Sequence, residues 1–282
     1  MSCGNPGGVS RRARSANIVI GALAAIGIGS LPTVGIAGDQ AGNIFTATLQ
    51  EASQKTSEIS TDELKNILVQ KNAVVLDARP HQEYAAGHIP GAVNVAAKPG
   101  VPASEYVSDV AAIGRLLNND KAAPLVLYCN GPFCGKSKRL SSELIDAGYV
   151  NVRRYQLGMP VWRALGGVAQ IELDGLLHIL GADRTAVFID AREREEFQLR
   201  TLPGARSLPR SGVVSGKDGG EVKKAKDDRR LPMDDHNTRI IVFGRDAEQA
   251  RFVAEALAHQ AFDNVAFYGG TLDNLMQRIS AK

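Results

Sequence analysis

Cysteine is nearly absent from this chain, with 3 in 282 residues. Cys3 stands near the N-terminus, which leaves Cys129 and Cys134 as the one pair in the body. That is too few for a disulfide-built scaffold, and a CxxxxC spacing without a second Cys/His pair argues against a metal site. An excess of charge is lacking too. The formal net charge is +3, but Arg11, Arg12 and Arg14 supply all of it: without residues 1–38 there are 30 basic residues against 30 acidic ones. A neutral body lacks the basic surface that phosphate backbones require, so no nucleic-acid partner is expected.

Ala16 to Leu31 is an uncharged apolar run behind a polar start with three arginines. Pro32 ends it, and Gly35 and Ala37 put small residues where a peptidase cutting after Ala37 would need them. The order is that of a secretory signal peptide, so residues 1–38 read as a signal peptide, with a membrane anchor over residues 16–38 as the alternative. Ser10-Arg11-Arg12 fits an ordinary positive region better than a twin-arginine signal. The protein is therefore expected to be exported, to a periplasmic location. Residues 39–57 are polar and small and read as a linker.

The remaining length allows one large or two ordinary domains, and an internal repeat decides for two. Ile59–Leu68 has apolar positions at helical spacing behind a capping box, Ser60 with Glu63, and Ile171–Leu180 repeats the pattern. Ala73–Arg79 is echoed by Ala186–Arg192, Glu83–Ala92 by Glu196–Ala205, and Leu125–Cys129 by Ile240–Gly244. Ser141–Val152 and Arg154–Gly158 likewise return as Ala254–Val265 and Ala266–Gly270, all at offsets of about 113 residues. The domains expected are 58–168 and 169–282. Each alternates short apolar strands with helical stretches, the pattern of a mainly parallel sheet flanked by helices, hence an α/β fold. Ser207 to Asn237, rich in Lys, Asp and Gly without apolar period, reads as a solvated surface excursion, with a docking loop as the alternative.

Leu125 to Leu140 concentrates the chemistry. A strand-type run ends in Cys129, a Gly/Pro turn carries Cys134, and Lys136 and Ser137 open a helical pattern. Backbone N–H groups at such a turn, with the positive end of a helix dipole, lower a thiol's pKa and hold anions.

These residues resemble the rhodanese superfamily in tandem. The markers are Asp77-Ala-Arg79, Glu83-Tyr84, Gly87 to Ala92, the strand ending in Tyr128-Cys129, and Gly158 to Trp162. The second copy keeps Asp190, Arg192 and the Pro-Gly-Ala turn, but has Gly244 at the cysteine position and Thr201 at the histidine position. The resemblance implies a sulfurtransferase. Cys129 would take the outer sulfur of thiosulfate or a persulfide donor, hold it as a persulfide, and pass it to a thiol or other thiophilic acceptor, without a metal or organic cofactor. Asn130, Gly131, Phe133, Gly135, Lys136 and Ser137 would bind the small sulfur-containing anion. Lys136 stands where the family has an arginine, a point charge in place of a fork.

Cys134 has no such precedent and is a candidate resolving thiol, or itself the nucleophile nearer the helix start. Asp77 and Arg79 are expected to be structural, since the copy without a thiol keeps their counterparts. Glu83 and His88 are expected beside the site as caps or loop hydrogen bonds, and Trp162 in the core. Two other functions remain open: a thiol-disulfide or persulfide redox protein using Cys129 and Cys134, and a binding scaffold with a protein partner on residues 169–282. A phosphatase-like variant is disfavoured by the absence of an arginine in the loop.

Overall fold

A computed structural model describes residues 42–96 and 109–280. The stretch expected to be a signal peptide or anchor, and the start of the expected linker, lie outside the described residues. Among the described residues no helix is long and apolar enough to cross a membrane.

The first copy runs β1 (Ser57–Glu58), α1 (Thr61–Gln70), β2 (Val74–Asp77), α2 (His81–Ala85), β3 (Val93–Asn94), α3 (Asp109–Leu116), β4 (Leu125–Tyr128), α4 (Lys136–Asp146), β5 (Val152–Tyr155) and α5 (Gly158–Ala164). The second runs β6 (Ala169–Ile171), α6 (Leu173–Ala182), β7 (Val187–Asp190), α7 (Arg194–Leu199), β8 (Arg206–Ser207), α8 (Gly220–Asp227), β9 (Ile240–Gly244), α9 (Ala247–Ala258), β10 (Val265–Thr271) and α10 (Leu272–Ser280). Each copy forms a five-stranded parallel sheet, ordered β1-β5-β4-β2-β3 and β6-β10-β9-β7-β8, which is one topology used twice. β4 and β9 are central in their sheets, and all their residues are buried, as strands covered on both faces must be. The C-terminal ends of such strands face the crevice in which ligands of α/β sheets bind.

The capping box forms: Ser60 Oγ accepts from Glu63 N at 3.2 Å, and the Glu63 carboxylate accepts from Ser60 N at 2.8 Å. The two copies share a core. One apolar cluster takes in Ile59, Tyr128 and Trp162 from the first and Ile171, Phe243 and Leu275 from the second. A short antiparallel bridge ties them, with His88 N donating to Gln170 O at 2.9 Å and Gln170 N to His88 O at 2.8 Å. At Gly175 a Cβ would lie 2.0 Å from Ala85 O, so α6 can approach α2 this closely only with glycine there.

Two stretches are more ordered than their composition suggests. Ser207–Asn237 is no solvated excursion: it contains a 3-10 turn and α8, and buries Val213, Val222, Ala225 and Leu231 in the second core. With Leu208 they make five apolar residues, enough for anchoring and too spread to register as a period. Residues 42–56, within the stretch read as a linker, are tied to the first copy. Glu58 accepts the N–H groups of Leu49, Gln50 and Glu51, and Lys55 pairs with Asp146 at 2.7 Å.

Candidate active site

Cys129 follows β4 directly, and its carbonyl accepts from Met159 N at 3.1 Å. This closeness depends on Gly158, whose φ is +65° and where a Cβ would lie 2.4 Å from both Cys129 O and Gly131 N. No other residue lets the turn after β5 close beneath the loop. Gly131, at φ +92°, reverses the chain, and Cys134 N donates to Gly131 O at 3.0 Å. α4 then starts behind Gly135 with no side-chain cap, so its first N–H groups remain available to whatever the loop holds.

The two thiols sit in contrasting environments. Cys129 is 2 % exposed, and its Sγ donates to the Cys134 carbonyl at 3.1 Å. Burial, and then the hydrogen bond with Cys134, push its pKa up, against the lowering effect of the Ser137 N–H and hydroxyl. Cys134 is partly exposed. Its thiol is lowered overall: burial opposes ionisation, but the Cys129 thiol, the N–H groups of Asn130 and Lys136, and the Lys136 charge outweigh it. The helix start therefore favours ionisation of Cys134, the thiol nearer to it. Packing under β4 and β5 buries Cys129 too deeply for the same field to prevail.

Of the other residues assigned to anion binding, Ser137 is buried and its hydroxyl donates to Cys129 Sγ at 3.6 Å. The Asn130 amide donates to the Glu83 carboxylate. Gly131 and Gly135 shape the loop, and Lys136 presents its charge to Cys134. The Phe133 side chain is fully exposed at the loop tip, which leaves its backbone as the part facing the loop.

Behind Ser137 lies a polar group that the sequence did not reveal. Arg154, 2 % exposed, reaches Ser137 Oγ with Nη2 at 3.5 Å, while its Nη1 donates to Glu51 at 3.1 Å and Gln54 at 3.2 Å. Glu51 also accepts from Lys138 at 2.8 Å and Gln156 at 3.0 Å. The Lys138 hydrogen bond foremost, with Arg154 assisting, holds the Glu51 carboxyl below its usual range despite some desolvation. The one available signal was an arginine pair, Arg153-Arg154, inside a strand pattern.

Asp77 and Arg79 form a buried pair. Arg79 Nη2 donates to Asp77 at 2.6 Å and to Gly87 O at 2.8 Å, and the Tyr128 hydroxyl donates to Asp77 at 2.7 Å. The second copy repeats this with Arg192 Nη2 donating to Asp190 at 2.7 Å and to Arg200 O at 2.6 Å. Phe243 has replaced the tyrosine, and Thr201 Oγ1 supplies the missing bond to Asp190 at 2.7 Å. His88 lies in the seam with the second copy, stacked on Tyr84 at 3.9 Å and 3.6 Å from Glu172. Burial above all lowers its pKa to about 4. Trp162 is buried and donates to Val168 O at 2.9 Å.

Among curated proteins, 92 residues are 37 % identical to the HTH-type transcriptional regulator Rv0324 of Mycobacterium tuberculosis, covering 33 % of this chain and 35 % of that protein. Another 101-residue match, 32 % identical, is to the tRNA uridine(34) hydroxylase of Buchnera aphidicola, covering 36 % of this chain and 30 % of that one. The chain thus spans about a third of the length of these relatives. Among solved structures, the 3-mercaptopyruvate sulfotransferase SseA of Escherichia coli is 20 % identical over 76 % of this chain and 97 % of its own, with a TM-score of 0.34. The thiosulfate sulfurtransferase of Pseudomonas aeruginosa is 18 % identical over 77 % and 41 %, with a TM-score of 0.31. The rhodanese-like domain family matches residues 60–165 and again 172–277, and the chain belongs to that family, carrying its domain twice.

Proposed function

We propose that the protein is a sulfurtransferase whose chemistry is confined to the first domain, where a loop cysteine carries sulfane sulfur as a persulfide. The observation that carries this reading is the pair of thiols at the end of β4, against a helix start that has no side chain of its own to satisfy it. Such a site suits an anionic donor and an anionic persulfide, because the loop and helix-start N–H groups and the Lys136 charge favour the ionised forms of both. Membership of the rhodanese-like family supports the same class of reaction. The acceptor is a thiol or other thiophile, and the second domain, with Gly244 in place of the thiol, serves through the shared core. Incubating the reduced protein with thiosulfate should release one equivalent of sulfite per chain as the outer sulfur passes to a loop cysteine. No sulfite released from thiosulfate and no consumption of a low-molecular-weight persulfide would rule the reading out.

A further inference from the structure

We infer that the two loop cysteines act in sequence, Cys134 receiving the sulfur and Cys129 resolving it. The loop thereby converts a sulfane sulfur into hydrosulfide at the expense of an external dithiol. This rests on the sulfur-transfer reading above and assigns that site an order of events and a product.

Access sets the order. Cys129 is buried beneath the loop, whereas Cys134 is partly exposed at the mouth of the helix start. An anionic donor arriving at that mouth meets the Lys136 charge and the N–H groups of Asn130 and Lys136, the same groups that lower the Cys134 thiol. Cys129 is at the same time committed as a protonated donor, its hydrogen held by the Cys134 carbonyl at 3.1 Å. The turn closed by Cys134 N and Gly131 O folds the second cysteine back towards the first, whose Sγ lies 3.1 Å from the Cys134 carbonyl. A persulfide formed on Cys134 thus stands on a residue that the Cys129 thiol already touches, before any external acceptor arrives.

The steps balance. The Cys134 thiolate attacks the outer sulfur of thiosulfate. A Cys134 Sγ–S bond forms, the donor's S–S bond breaks, and sulfite leaves with the electron pair. Cys129 Sγ then attacks Cys134 Sγ, forming the Cys129–Cys134 disulfide. The outer sulfur leaves with its bonding pair and takes the Cys129 proton, departing as hydrosulfide. The sulfane sulfur is reduced, the two cysteines are oxidised, and a dithiol returns them to thiols by exchange.

The test compares wild type, Cys129→Ser and Cys134→Ser, each reduced, freed of small thiols and given one equivalent of thiosulfate. Wild type should release one equivalent of hydrosulfide and end two hydrogens lighter. Cys129→Ser should keep one added sulfur and release none, and Cys134→Ser should take up sulfur roughly 100-fold more slowly. Substoichiometric alkylation of wild type, followed by peptide mapping, gives a check free of substitution and should label Cys134 first. Sulfur uptake by Cys134→Ser at the wild-type rate, or a wild type that keeps the added sulfur, would overturn the sequence of events while leaving sulfur transfer standing. Absence of uptake by every form would instead remove the sulfur-transfer reading itself.

Discussion

After Cys129 the first domain runs through Asn130–Gly135 before its helix begins, whereas after the equivalent Gly244 the second uses Arg245 and Asp246 alone, four residues fewer. The short turn is self-satisfied. Asp246 accepts from Gln249 N at 2.8 Å, and Gln249 Oε1 accepts from Arg245 N at 2.8 Å, a reciprocal cap over the start of α9. The long turn leaves α4 open and places two thiols where the second domain has put a carboxylate. Even the flanking glutamate is reused, Glu83 accepting from Asn130 and Glu196 from Arg245. An identical scaffold therefore supports either a reactive turn or a closed one. The choice lies in a few residues that contribute little to the sheet.

What both domains keep is the buried aspartate–arginine pair, so its removal should have the largest effect and should not distinguish the domains. Asp77→Ala leaves the Arg79 guanidinium buried without its counter-charge, and Asp190→Ala does the same to Arg192. Each should cost about 3–5 kcal/mol of stability, measured by urea unfolding of the whole chain. Because the core is shared, a single cooperative transition is expected for both variants. A loss below about 1 kcal/mol in either would mean that the frame is held by something other than this pair.

A smaller effect should separate the domains at His88, which corresponds to Thr201. The buried ring titrates at about 4 in place of 6.5. Above pH 6.5 it is neutral whether the chain is folded or unfolded, and no stability is lost. Between 6.5 and 4 the unfolded chain takes up a proton that the folded one refuses, so stability falls as the pH falls, by about 2 kcal/mol from pH 7 to 5. His88→Thr should remove that part of the slope, read as the difference between the two proteins' unfolding free energies across the interval. An unchanged slope would show that the ring is accessible to protons in the folded state.

The repeat and the continuous apolar strands made the architecture readable, because parallel sheets impose both, and Ser60 with Glu63 marked a helix start by local chemistry alone. Cys129, Cys134 and Ser137 were readable for the same reason: they are neighbours along one turn. Glu51 was not. Its bonds to Lys138, Arg154 and Gln156 join residues 87, 103 and 105 positions away, and nothing in a polar stretch announces such partners. The ranking of the two thiols was hidden on similar grounds. Burial of Cys129 accompanies the close approach of Gly158 in the turn after β5, a long-range contact, whereas the helix-start effect that points to Cys134 is local.

The finest test gives the first domain one feature of the second. Gly135 has φ −72°, and a Cβ there would meet nothing within 4 Å, so Gly135→Asp should fold with stability changed by less than about 0.5 kcal/mol. Its carboxylate would stand beside Cys134 at the helix start, competing for the N–H groups and opposing the thiolate, as Asp246 occupies the start of α9. The rate of Cys134 alkylation at pH 7 should fall about 3- to 10-fold, the scale of a charge at a helix terminus. Added salt should recover part of it, because the opposing charges are exposed. Gly135→Asn supplies the same hydrogen-bond acceptor without charge. Equal slowing by both variants would assign the effect to capping, and slowing by neither would mean that the thiolate at Cys134 is held by the Cys129 thiol and Lys136 rather than by the helix.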